Sequence, residues 1–82
     1  MKIKAEEIIS AIRKHFKGNI VAASYSLFIE PLKFVGFENN VLILEIYSEW
    51  SKSIIDKRFI EGIQFAVEDL FNQKIKVNII TT

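Results

Sequence analysis

The sequence predicts an α+β domain with the element order α-α-β-β-α-β, in which helices cover one face of a three-stranded sheet. Three observations predict this fold. Apolar residues recur at helical spacing in residues 4–17 and 48–71, they alternate at strand spacing in residues 74–80, and an asparagine pair separates two apolar runs in the middle of the chain. Eighty-two residues form one domain at most, so residues 1–82 are expected to be a single unit.

The first two elements are predicted to be helices. Residues 4–17 carry two glutamates in the first turn and basic residues in the last, which suits the helix dipole, and Gly18 follows as a C-terminal stop. A shorter helix is predicted from about residue 21 to 30, because Pro31 disfavours helical backbone in the residue before it. Its apolar stripe consists of Tyr25, Phe28 and Ile29.

Two strands are predicted over residues 32–38 and 41–47, on either side of Asn39-Asn40. Asparagine tolerates the positive φ of a two-residue turn, so these strands should form a β-hairpin. Alternation in the second strand puts one apolar set on a single face of the sheet: Leu42, Leu44 and Ile46. Residues 74–80 should form the third, half-buried strand.

One long helix is predicted between the hairpin and the last strand, from the N-cap Ser48 to about residue 71. Its buried stripe follows steps of three and four residues: Ile55, Phe59, Ile63, Ala66 and Leu70. Gly62 inside this helix indicates either a close backbone approach or a kink near Lys57-Arg58. Asn72 is predicted to end the helix in a left-handed conformation.

The composition argues against an enzyme. The chain has no cysteine, and its single histidine, His15, stands between Lys14 and Lys17, whose positive charges make it a poor general base. We therefore expect no catalytic residues, no metal site and no cofactor.

No apolar run approaches the length of a membrane span, and the N-terminus lacks the apolar segment of a signal peptide, so a cytoplasmic protein is expected. The net charge of +1 argues against strong, sequence-independent nucleic-acid binding.

Three motifs carry a family resemblance. Residues 25–32 read Tyr-Ser-Leu-Phe-Ile-Glu-Pro-Leu at the end of helix 2, residues 47–50 read Tyr-Ser-Glu-Trp at the start of helix 3, and residues 54–60 read Ile-Ile-Asp-Lys-Arg-Phe-Ile. Their order and spacing resemble the N-terminal domain of the bacterial replication initiator DnaA, with Phe28 at a position where the family has tryptophan. The chain resembles either that domain or a diverged stand-alone relative that competes for the initiator's partners.

The resemblance implies a KH-like fold without the Gly-x-x-Gly loop, and a protein-interaction role in DNA replication initiation. In that family the domain contacts the replicative helicase and regulatory proteins through helix 2 and the start of helix 3. The residues expected at this partner-binding surface are Ser24, Leu27, Ser48, Glu49 and Trp50. Trp50 could instead be an ordinary core residue, and Ser24 an ordinary surface serine.

The resemblance also implies weak self-association through helix 1, for which Ile8, Ile9 and Ile12 are the candidates. Ile8 and Ile9 are adjacent and point about 100° apart, so one of them could be free for a partner, unless both are buried. An alternative function is a KH-like module that binds single-stranded nucleic acid on the open face of the sheet, where aromatic and basic side chains can stack on bases. The candidates for that face are Lys33, Val35, Ile43 and Tyr47. Glu45 among them, the near-neutral charge and the missing loop weigh against it, so at most weak binding of single-stranded DNA is expected.

Overall fold

The computed structural model describes residues 3–82 and confirms the predicted α+β fold. The elements are α1 (Ala5–Phe16), α2 (Ala22–Ser24, continued as a π-helical turn over Tyr25–Ile29), β1 (Lys33–Glu38), β2 (Val41–Ile46), α3 (Glu49–Arg58), α4 (Ile60–Phe71) and β3 (Lys76–Thr81). Over the residues described, none of the helices combines the length and apolar character needed to cross a bilayer.

The sheet has the order β1-β2-β3, with β2 antiparallel to β1 and parallel to β3. The predicted hairpin turn is confirmed, because Asn39 and Asn40 have φ of 53° and 62°, the left-handed values that a two-residue turn requires at both positions. The register shifts between Phe34 and Gly36, which leaves Val35 as the extra residue of a β-bulge.

The core lies between the sheet and the helices. In β2 the predicted set Leu42, Leu44 and Ile46 is buried, while the alternate residues are only half-buried. The helices contribute the other half of the core: Ile8, Ile12, Phe16, Phe28, Ile29, Ile55, Phe59, Ile63 and Val67. Helix α1 is also tied to the end of α2, since the Arg13 guanidinium donates to the Glu30 carbonyl at 2.8 Å.

The prediction of a single helix over residues 48–71 is wrong, because the helix breaks at Phe59. Phe59 has φ −121° and ψ −10°, which ends α3 and begins α4. Its buried ring lies 5.8 Å from the ring of Phe16 and 5.9 Å from that of Phe28. The apolar spacing does not reveal the break, since the residues four positions to either side, Ile55 and Ile63, are buried on the same side of the chain.

Gly62 lies where α4 approaches α1 most closely. A Cβ atom built on it would stand 2.6 Å from Cζ and 3.0 Å from Cε1 of Phe16, closer than real contacts allow. The close approach expected from the sequence is therefore confirmed. The alternative, a kink near Lys57-Arg58, is realised as well, because the helix breaks at the next residue, Phe59. The left-handed stop at Asn72 is confirmed as well, with φ 58°.

Candidate functional site

Three large side chains are exposed where α2, the end of β2 and the first turn of α3 meet. Trp50, Tyr47 and Leu27 are 62%, 52% and 45% exposed, and we call them the corner patch. Leu27 lies in the π-helical turn of α2, Tyr47 directly follows β2, and Trp50 lies in the first turn of α3. The Tyr47 hydroxyl bonds the Leu27 carbonyl, and the Trp50 ring lies 5.6 Å from that of Phe28, the residue after Leu27. Clustered exposed apolar side chains, unlike scattered ones, are typical of surfaces that bind other molecules.

Trp50 rests on the core without entering it. Its ring centroid lies 5.6 Å from that of Phe28, with the rings inclined by 48°, and Phe28 is buried, as the sequence predicts. The core alternative for Trp50 is therefore wrong. A tryptophan supported on one side and open to solvent on the other can deliver much apolar area to a partner.

Tyr47 completes the end of helix α2. In a regular helix the Leu27 carbonyl would accept from the backbone N–H of residue 31, but Pro31 has none. The Tyr47 hydroxyl donates to this carbonyl at 3.1 Å instead. The π-helical turn is closed just beyond, where the Glu30 N–H donates to the Tyr25 carbonyl at 2.9 Å. Tyr47 is thus tied to α2 through its hydroxyl. It also lines an open pocket with Lys33 and Glu45, so it lies at the margin of the open sheet face.

The start of helix α3 is fixed by two serines. The Ser48 hydroxyl accepts from the Ser51 N–H at 3.1 Å, as an N-cap does, and donates to the Ser51 hydroxyl at 3.0 Å. Ser51 is fully buried, so both groups are satisfied inside the protein. Ser48 is half-buried and occupied by the cap, which orients Trp50 two residues later.

Polar groups surround the corner patch. Glu49 is exposed and accepts a 2.6 Å hydrogen bond from the Thr81 hydroxyl, while Ser24 is half-buried. On the next turn of α3, Lys52 and Asp56 form a 2.7 Å ion pair. The hydrogen bond to Asp56, and then the nearby negative charges, raise the pKa of the Lys52 ammonium. The pair is solvent-exposed and contributes little stability.

The predicted self-association residues are mostly inaccessible. Ile8 and Ile12 are each 1% exposed and belong to the core, so they cannot meet a second copy as the sequence analysis expected. Adjacent positions on a helix point about 100° apart, which is why only Ile9 of the three stays half-exposed. It lines an open groove between α1 and α2 that also contains Tyr25 and Arg13.

The open sheet face has balanced charges. Lys33 and Ile43 lie on it as predicted, Lys33 opposite Glu45 in the hairpin register, and Val35 is exposed at the bulge. The charged residues there are Lys33, Glu38, Glu45 and Lys76. Two positive and two negative side chains make no basic track for a phosphate backbone. Tyr47 lies at the margin of this face, with its hydroxyl bonded to the Leu27 carbonyl.

Phe65 is an exposed aromatic that the sequence analysis missed. It is 62% exposed on α4, and its ring lies 5.5 Å from the ring of His15, which is half-buried. The signal was available in the sequence, because Phe65 comes two positions after Ile63, about 200° around the helix from the predicted stripe. Within residues 3–82, no group of three acidic or histidine side chains is arranged to hold a metal ion.

A sequence model of the DnaA N-terminal domain family matches residues 6–69. The match runs from the first turn of α1 almost to the end of α4, well over half of the chain. It includes every member of the corner patch and confirms the resemblance that the three motifs carry. The chain therefore belongs to the DnaA N-terminal domain family, the N-terminal domains of a replication initiator.

Proposed function

We propose that this domain is a protein-interaction module of a DNA replication initiator in the cytoplasm, which contacts the replicative helicase and replication regulators through the corner patch and associates weakly with itself. One observation carries the proposal: Trp50 is 62% exposed while its ring is braced on the buried Phe28. Tryptophan is the residue most enriched among those that dominate binding energy at protein interfaces.

The corner patch is held in one arrangement before any partner arrives. The hydrogen bond from Tyr47 to the Leu27 carbonyl ties β2 to α2, and the cap at Ser48 fixes the first turn of α3. A partner that binds such a surface has few side chains to order, and less binding free energy is lost to conformational entropy. Rigidity therefore supports recognition by the patch as it stands.

The chemistry of the patch defines its partner. A surface that fits it offers an apolar pocket for the Trp50 indole and a shallow apolar contact for Leu27, with donors for the exposed Glu49 carboxylate at the rim. Ser24 lies on α2 three residues before Leu27 and is half-buried, so we include it as a second, weaker polar contact. This is the anatomy of a protein interface, with an apolar centre and a polar margin.

Binding of purified replicative helicase to the Trp50→Ala variant, measured by calorimetry, tests the proposal. We expect a tenfold or larger loss of affinity, as is usual for truncation of a central interface tryptophan. Each tenfold loss of affinity corresponds to about 1.4 kcal/mol of binding free energy. Because Trp50 is mostly solvent-exposed, urea unfolding should show a loss of stability of about 1 kcal/mol or less.

Val35→Ala is the matched control, since Val35 is an apolar residue 47% exposed on another part of the surface. It should leave helicase affinity unchanged within error. Equal losses in both variants, or unchanged binding in Trp50→Ala, would show that the corner patch is not the helicase contact.

A further inference from the structure

A second apolar surface lies away from the corner patch, between α1 and α4. Phe65 projects from α4 with 62% of its side chain exposed, beside an open groove of about 280 Å³. We call Phe65 and this groove the Phe65 patch; the groove is lined by Ala11, Lys14, His15, Asp69 and Leu70.

The base of the Phe65 patch is rigid. The His15 ring stands edge-on to the buried Phe16 ring at 5.0 Å, and Phe65 lies tilted on the outer side of His15 at 5.5 Å. Phe16 in turn fills the space left by Gly62. An aromatic projection and an adjoining hollow are therefore held side by side on a packed support.

The groove carries one positive and one negative side chain, and these two do not pair with each other. Lys14 on α1 and Asp69 on α4 are both exposed at its rim. Among residues 3–82 the only ion pair within 4.0 Å is Lys52–Asp56, so Lys14 and Asp69 do not neutralise each other. One positive and one negative group are thus both available to a molecule that covers the groove.

These features give one patch a projection, a hollow and one charge of each sign. A two-fold dimer brings the same surface of both copies together, so it needs a projection, a hollow and both charge signs on one patch. We propose that a second copy of this chain binds here: Phe65 of each copy enters the groove of the other, and Lys14 faces Asp69 of the partner subunit. This inference rests on the self-association part of the proposed function. It places the self-association surface at the C-terminal half of α1 and at α4, away from the N-terminal half of α1.

The interface would be small and the dimer weak. A single aromatic and one groove per copy fall below the area of a standard stable interface, so association is expected only at high protein concentration. Sedimentation equilibrium over a wide concentration range is the appropriate measurement, with circular dichroism to verify that each variant is folded.

Charge reversal with rescue provides the decisive test. Phe65→Ser, Lys14→Glu and Asp69→Lys should each weaken dimerisation about tenfold, because each charge reversal turns two symmetry-related attractions into repulsions. The double variant Lys14→Glu/Asp69→Lys restores opposite charges across the interface and should return to within about threefold of the original dimer. A merely structural role for these residues would give no such rescue.

Two results would overturn the inference. If the dimer persists in all three single variants and is lost in Ile9→Ser, self-association uses the groove between α1 and α2 instead. If no association occurs at any concentration, both this interface and the self-association part of the proposed function are wrong. The helicase contact would still be decided by the Trp50→Ala experiment, which uses a different patch and a different readout.

Discussion

At the scale of single residues, Pro31 determines how the corner patch is built. It removes the N–H that would satisfy the Leu27 carbonyl, and the Tyr47 hydroxyl takes that place across 20 residues of chain. The exposed Leu27 could be expected from the sequence because it lies off the apolar stripe of its helix. The role of Tyr47 could not, since periodicity describes which side chains are buried and carries no information on which carbonyl lacks a donor.

Tyr47→Phe tests this hydrogen bond. We expect a loss of about 0.5–1 kcal/mol in the free energy of unfolding, at the lower end for a hydrogen bond because water can reach the half-exposed site. In a Pro31→Ala background the N–H of residue 31 becomes available, and the same substitution should have almost no effect. Urea unfolding of the four proteins gives the coupling energy, and a coupling of zero would show that Pro31 and Tyr47 act independently.

At the scale of elements, the sequence predicts the position of nearly every helix and strand but not their irregularities. The hairpin could be predicted because asparagine tolerates the positive φ that a two-residue turn requires at both positions. The break at Phe59 is indicated only as an alternative, the kink near Lys57-Arg58 that Gly62 allows. The bulge at Val35 and the π-helical turn over Tyr25–Ile29 are not predicted. Each leaves the pattern of buried residues intact and changes only how the backbone runs between them, which hydrophobic spacing does not report.

Gly62→Ala tests the contact between α1 and α4. In an open helix this substitution would stabilise by about 1 kcal/mol. Here the new methyl group would meet the Phe16 ring at 2.6 Å, so we expect a net loss of about 1–3 kcal/mol instead.

The control for this change is the Phe16→Leu background, which removes the ring that the methyl group would strike. There Gly62→Ala should be neutral or stabilising, as measured by thermal or urea unfolding. A loss of the same size in both backgrounds would mean that Gly62 serves some purpose other than room for Phe16.

At the scale of the whole molecule, the helices cover one face of the sheet and leave the other open. That open face carries Lys33 and Lys76 against Glu38 and Glu45, in a chain of net charge +1. The composition predicts this balance, although it could not predict that the Tyr47 hydroxyl, at the margin of the face, bonds the Leu27 carbonyl. The two apolar patches instead involve the helices: the corner patch joins α2 to the start of α3, and the Phe65 patch joins α1 to α4.

Single-stranded DNA should accordingly bind weakly. Fluorescence anisotropy with a labelled oligonucleotide should give a shallow salt dependence, with a slope of log K against log salt of about −0.7 to −1.4, as for one or two phosphate contacts. Lys33→Gln should reduce that slope further. Tight binding that falls steeply with salt would make nucleic acid, not protein, the main ligand of this domain.

The break at Phe59 has a consequence for how this domain can evolve. An unbroken helix has a single rotational phase, so one inserted residue turns everything after it by about 100°. Because the φ of Phe59 is −121°, outside the helical range, the rotational phase of α3 ends at this residue and α4 begins with its own phase. An insertion or deletion near the end of α3 can therefore be absorbed at this joint without rotating Phe65 away from α1.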